Sequence, residues 1–206
     1  MLILSILVAA GLGFLMFSPW TAGFLNFWWA MTFSAITLTV LSIVATRRLP
    51  RLFETDRRQN VQNVLLSICI AVVLWLVFYW GDIISQRLFD FARPQVNLIY
   101  DMKTGMSPRL IGLLLLFIIG PAEEIFWRGY IQRTLSQRFS PTRAFLITTG
   151  IYTLVHLPSL NLMLIMAAMV CGLAWGGLYR LFPGRLPAII LSHALWDAAA
   201  FVWFPF

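Results

Sequence analysis

Two adjacent carboxylates lie inside an apolar stretch of this sequence. Glu123 and Glu124 follow the nearly all-apolar residues 110–120, and Arg128 comes four residues after Glu124. Residues four apart share a helix face, so the spacing predicts an ion pair between Glu124 and Arg128. Glu123 points about 100° away and stays available for chemistry. The alternative is an interfacial charge cluster that sets membrane topology.

Two histidines follow at greater distance along the chain. His156 comes two residues before Pro158, which disfavours helix at residue 157, so His156 is predicted at a helix end. His193 and Asp197 are one helical turn apart and can point at one place. An aspartate within an apolar span favours function over packing.

A possible helix break precedes the two acids. Gly120-Pro121 is predicted to kink or interrupt the helix. If the helix restarts at Pro121, Glu123 falls in its first turn, where the positive end of the helix dipole stabilises a carboxylate.

Composition identifies the setting for these groups. Over 206 residues, 60% are hydrophobic and 11% are charged, against about 45–50% and about 25% in soluble domains. This excludes a water-soluble enzyme, a disordered chain and a disulfide scaffold.

We predict an all-α, polytopic transmembrane helical bundle of about seven spans, six to eight. The predicted spans are 2–18, 23–45, 61–80, 109–127, 143–157, 160–180 and 186–205. The polar stretch 81–108 is either an interfacial amphipathic helix or a solvated loop.

The distribution of the basic residues indicates membrane topology rather than nucleic-acid binding. The net charge is +7, and Lys103 is the single lysine among fifteen basic residues. Eleven arginines fall in loops on one side of the predicted spans: Arg47, Arg48, Arg51, Arg57, Arg58, Arg128, Arg133, Arg138, Arg143, Arg180 and Arg185. The positive-inside rule places these loops and the N-terminus in the cytoplasm. We expect an integral protein of the bacterial inner membrane that contacts anionic lipid headgroups and binds no nucleic acid.

The depths of the candidate residues do not agree under these span boundaries. At a rise of 1.5 Å per residue, Glu123 and His193 lie about 10 and 12 Å from the cytoplasmic face, and His156 about 21 Å. A joint site then needs a strongly tilted fifth span, or a segment 130–141 that re-enters the membrane.

Taken together, the motifs resemble the CPBP family of intramembrane proteases, which includes CAAX prenyl endopeptidases and bacterial Abi-type proteins. Glu123-Glu124-x-x-x-Arg128 is similar to its first motif and His193-x-x-x-Asp197 to its third. Tyr152-x-x-x-His156 resembles the second, in which the family usually has Phe. The resemblance covers residues 105–206, a catalytic core within one integrated bundle, whereas residues 1–104 match only as unspecific spans.

The resemblance implies an endopeptidase that acts on a membrane-associated protein or peptide. Glu123 would activate a water and His156 would position it. His193 and Asp197 would stabilise the oxyanion, provided that Asp197 holds the His193 ring. Glu124 and Arg128 would support the site. The cofactor is either zinc or none. Zinc would be held by Glu123, His156 and His193, because three protein ligands and a water form a catalytic zinc site.

Two other classes remain open at this level. The same ionisable residues suit a proton-coupled transporter, although the paired broken helices typical of transporters are missing. A non-catalytic immunity or scaffold protein is the second alternative, because the family includes Abi-type proteins.

Overall fold

The computed structural model describes residues 1–47 and 57–206, which form eight helices joined by turns. They are α1 (Leu2–Phe17), α2 (Phe27–Thr46), α3 (Arg57–Leu88), α4 (Ala92–Asp101), α5 (Pro108–Ser136), α6 (Pro141–Val155), α7 (Leu162–Leu181) and α8 (Pro183–Trp203). No strand occurs within this part of the chain, which confirms the all-α class.

Each of the seven predicted spans coincides with a helix. Five of these helices are long and apolar enough to cross a membrane: α2, α3, α5, α7 and α8. Helix α1 is apolar but has 16 residues, and α6 has 15. Fifteen residues extend about 22 Å, less than an apolar core of about 30 Å. The bundle is therefore polytopic, with two helices shorter than a full span.

Helix α5 is continuous, so the predicted break at Gly120-Pro121 is wrong. Residues 115–119 widen into a π-helical turn, in which the Gly120 N–H donates to the Leu115 carbonyl five residues earlier. Pro121 lacks an N–H and its ring crowds the carbonyl four residues before it. A wider turn accommodates such a residue without ending the helix. Glu123 therefore lies in the middle of a helix and not at its N-terminus.

The far end of α5 also differs from the prediction. The helix continues nine residues beyond the predicted end at 127, to Ser136. Arg128 is 1% exposed inside the bundle, so counting it among the loop arginines was wrong. Arg48 and Arg51, which were assigned to the same set, lie outside the described residues.

The polar stretch 81–108 is mostly helical. Helix α3 continues through it to Leu88, and α4 buries Ala92 and Val96 on one side while Leu98 is exposed. This is the amphipathic helix of the two predicted alternatives. The Tyr100 hydroxyl donates to the Ala200 carbonyl at 3.0 Å. Burial raises the pKa of this hydroxyl, which keeps it a donor. Helix α4 thereby fixes the end of α8.

Helices α5 and α8 approach each other closely at Gly120. A Cβ atom on Gly120 would lie 2.8 Å from Cα of Ala194. Small residues at a crossing allow such close approach in membrane bundles. The contact sets the register between the helix that carries Glu123 and Glu124 and the helix that carries His193.

We expect Gly120→Ala to destabilise the bundle by about 1–3 kcal/mol, because the added methyl group meets backbone and not a flexible side chain. Thermal unfolding in detergent measures this. Gly150→Ala is the matched control, since it changes another mid-helix glycine whose Cβ would meet nothing within 4 Å. Equal melting temperatures for the two variants would contradict the proposed contact.

Candidate active site

The carboxylate of Glu124 joins two of the predicted site residues. It is fully buried, and its Oε1 atom accepts a hydrogen bond from Nη1 of Arg128 at 2.8 Å. The predicted Glu124–Arg128 ion pair is confirmed. The same oxygen lies 2.7 Å from Nδ1 of His193 on α8, a contact that the sequence did not predict.

Arg128 ties α5 to a third helix. Its Nη2 atom lies 3.4 and 3.5 Å from the carbonyl oxygens of Cys171 and Gly172 on α7. Its guanidinium lies 5.2 Å from the ring centroid of Tyr152 on α6. A guanidinium that neutralises a buried carboxylate and binds carbonyls has most of its charge compensated. Arg128 therefore connects α5 to both α6 and α7.

Glu123 is held by a hydroxyl from α6. The Tyr152 hydroxyl donates to Oε2 of Glu123 at 2.9 Å. Glu123 lies next to Glu124 along α5 but faces the other way, as the helical geometry predicts. The Glu123 carboxylate faces a cavity, whereas the Glu124 carboxylate forms an ion pair within the core.

His156 lies at the end of α6, as predicted, with Val155 the last helical residue. Its Nδ1 atom is 2.8 Å from the carbonyl oxygen of Tyr152. Its ring packs against Phe17 of α1 with the ring centroids 4.8 Å apart. The first helix therefore contributes directly to the surroundings of the site.

His193 is held on both edges and on one face. Trp175 of α7 stacks on its ring with centroids 3.7 Å apart and planes inclined by 18°. Nε2 of His193 lies 3.5 Å from Oδ2 of Asp197, at the outer limit of a hydrogen bond. Asp197 was predicted to hold the ring, and the tighter contact is the one from Glu124. Ring position is thus set by α5 and α7 as well as by α8.

One cavity of about 300 Å³ brings the four candidate catalytic residues together. Glu123, His156, His193 and Asp197 all line it, and we call it the site cavity. The rest of its wall is largely apolar and includes Trp28, Phe78, Val96, Met163 and Phe201. An apolar chamber with a few convergent polar groups is the usual form of a binding or active site.

A second, smaller cavity lies behind the same residues. Its volume is about 40 Å³, and it is lined by residues of α1 and α2 together with Glu123, Tyr152 and His156. A space of this size is large enough for at least one water molecule. Glu123, Tyr152 and His156 therefore border both cavities.

The conflict between the depths of His156 and Glu123 disappears because α5 is longer than predicted. Glu123 lies thirteen residues before Ser136, the end of α5, and His156 lies fifteen residues after the start of α6 at Pro141. Both distances correspond to about 20–22 Å from the turn that joins the two helices. The matching depth follows from the real end of α5.

The residues that were considered for zinc do not fit a metal site. In residues 1–47 and 57–206, no group of three or more His, Cys, Asp or Glu side chains could hold a metal ion. Nδ1 of His156 is engaged by a backbone carbonyl and Nδ1 of His193 by Glu124. These contacts leave coordination to the Nε2 atoms, and within the described residues Glu123, His156 and His193 do not form a group that could hold a metal.

Three contributors to the site were not predicted from the sequence. The Tyr152 hydroxyl was treated only as a departure from Phe, Trp175 was one aromatic residue among many, and Phe17 lies in a span without a motif. The spacing of Tyr152 four residues before His156 could have suggested the first, because residues four apart share a helix face. Nothing local indicates the other two.

Residues 105–199 match the family model described as Type II CAAX prenyl endopeptidase Rce1-like. All six predicted site residues lie within the match. This segment is similar to an Rce1-like CAAX protease domain. No curated protein and no solved structure matches the chain. The Rce1-like segment comprises α5 to most of α8, and α1 to α4 complete the bundle around it. With five helices able to cross a membrane, the chain is an integral membrane protein.

Proposed function

We propose that the chain is an intramembrane endopeptidase that hydrolyses a peptide bond of a membrane-associated protein or peptide with a water activated by Glu123. One observation carries the proposal: Glu123, His156, His193 and Asp197, which come from three helices, line a single apolar cavity. The Rce1-like match supports the reaction class independently of this geometry.

Glu123 is the general base in this proposal. It removes a proton from a water while the water oxygen attacks the carbonyl carbon of the substrate. The tetrahedral intermediate then collapses, the C–N bond breaks, and Glu123 returns the proton to the leaving nitrogen. The products are a carboxylate and an amine. His156 helps to hold the water, because both side chains border the same two cavities.

His193 stabilises the oxyanion of the intermediate. Its Nδ1 atom donates to Glu124, so it must also carry a proton on Nε2 to donate to an oxyanion. Glu124 and Asp197 flank the two nitrogens. We assign Asp197 the role of holding the Nε2–H in the resting site, and Glu124 and Arg128 the role of support.

A comparison of protein termini tests the proposal. Membranes from cells that express wild type or Glu123→Gln at equal levels are analysed for new N- and C-termini. We expect termini that occur only with wild type, and their sequences would identify a substrate. Identical termini together with proton flux into liposomes would overturn the proposal in favour of transport. Identical termini without proton flux would favour an immunity or scaffold role.

We also propose that the chain lies in a bacterial inner membrane with its N-terminus in the cytoplasm and its arginines near anionic headgroups. In a Cys69→Ala, Cys171→Ala background, a membrane-impermeant maleimide should label Lys103→Cys on intact cells but not Glu54→Cys. The two positions lie on opposite sides of the predicted spans. Labelling of position 54 from outside would reverse the proposed orientation.

A further inference from the structure

Tyr152 contacts both Glu123, which we propose activates the water, and His156, which we propose holds it. Its hydroxyl donates to Oε2 of Glu123 at 2.9 Å, and its backbone carbonyl lies 2.8 Å from Nδ1 of His156. One residue thus contacts the proposed base through its side chain and the proposed water-positioning group through its backbone.

The ring of Tyr152 has little freedom to move its hydroxyl. The residue is 5% exposed. Trp127 packs edge-on against its ring with centroids 5.3 Å apart, and His156 does so at 5.0 Å. The Arg128 guanidinium lies over the ring. The hydroxyl is therefore delivered to Glu123 from a fixed direction, and the second carboxylate oxygen is left for a water.

The backbone contact determines which nitrogen of His156 can accept a proton. A carbonyl oxygen only accepts, so Nδ1 must carry the hydrogen. In the neutral ring, Nε2 then carries the lone pair and accepts a hydrogen bond. His156 therefore presents an acceptor, which is the form that can orient the hydrogen of a water.

We infer that Tyr152 is a positioning residue that orients Glu123 through its hydroxyl and fixes the tautomer of His156 through its backbone carbonyl. The inference rests on the proposed function of Glu123. It gives the hydroxyl of this tyrosine a role, at a position that needs only an aromatic ring for packing.

Tyr152→Phe removes the hydroxyl and keeps the ring and the backbone carbonyl. We expect kcat to fall by about 10- to 100-fold, the effect of losing a hydrogen bond to a charged group. KM for a quenched peptide that spans the mapped cleavage site should stay unchanged, because the hydroxyl donates to Glu123 and the ring of Tyr152 that lines the cavity is retained. Tyr130→Phe is the matched control, since it removes another buried tyrosine hydroxyl, 3.4 Å from Ser5.

An infrared measurement makes the contact testable without activity. The chain has eight aspartates and glutamates, so one carboxyl band can be assigned to Glu123 as the band lost in Glu123→Gln. We expect this band to shift in Tyr152→Phe and not in Tyr130→Phe.

The outcomes separate the positioning role from the proposed function. A band that does not shift refutes the contact. A shifted band with unchanged kcat refutes the positioning role. Cleavage that survives in Glu123→Gln refutes the proposed function instead, whatever the infrared result, and the positioning role in catalysis falls with it.

Discussion

Glu123→Gln is expected to lower kcat by about 10²- to 10⁴-fold, the usual contribution of a general base. The amide has the size of the carboxylate and retains an oxygen that can accept the hydrogen bond from Tyr152. It cannot remove a proton from water. The amount of folded protein in the membrane should therefore stay at the wild-type level.

The measurement uses purified protein in lipid nanodiscs and a quenched peptide that spans the mapped cleavage site. Asp90→Asn serves as the matched control, because it makes the same chemical change at an exposed residue. In the proposed mechanism the residues act without a metal, so a chelator should leave the wild-type rate unchanged. A Glu123→Gln variant that cleaves at more than a tenth of the wild-type rate would remove Glu123 from the role of base.

Arg128→Met is expected to have the largest effect on stability, about 3–5 kcal/mol, because it leaves a buried carboxylate without its cation. Glu124 is fully buried, and Arg128 is its partner at 2.8 Å. The variant also loses the contacts with the carbonyls of Cys171 and Gly172. We expect less protein in the membrane and a lower melting temperature.

A double variant distinguishes the stranded charge from the lost packing. Arg128→Met combined with Glu124→Gln removes both charges, and such replacements of a buried pair are often close to neutral. The side-chain amide introduced by Glu124→Gln keeps an oxygen that can still accept the hydrogen bond from His193. We expect the double variant to recover most of the lost stability. If Arg128→Met accumulates as well as Glu123→Gln, the supporting role of the ion pair is wrong.

Local spacing predicted the contacts that form within one helix. The Glu124–Arg128 pair and the shared face of His193 and Asp197 both follow from residues four apart, and the structure has both. The seven apolar segments likewise follow from composition, because a helix that faces lipid must be apolar along most of its length.

Contacts between different helices could not be predicted from local spacing. The bond between His193 and Glu124 joins residues 69 positions apart, and it depends on the register between α5 and α8. That register is set where Gly120 meets Ala194, and nothing in the sequence pairs those two positions. The same limit hid Trp175, which reaches His193 from α7.

The end of α5 was misplaced for an electrostatic reason. Arg128 was interpreted as the charge that marks the end of a span, because an isolated arginine is costly within a membrane. Its charge is instead compensated inside the bundle by Glu124, so the helix continues to Ser136. The error moved Glu123 towards the face predicted to be cytoplasmic and produced the apparent conflict with His156.

The walls of the site cavity divide between two parts of the chain. The groups assigned to bond cleavage all lie in the Rce1-like segment, whereas Phe27, Trp28, Phe78 and Val96 come from α2, α3 and α4. Substitutions before residue 105 can therefore change the shape of the site cavity without replacing any of the proposed catalytic residues. In such a bundle, substrate selection and catalytic chemistry depend on different residues and can diverge separately. Related chains could therefore catalyse the same reaction on different substrates.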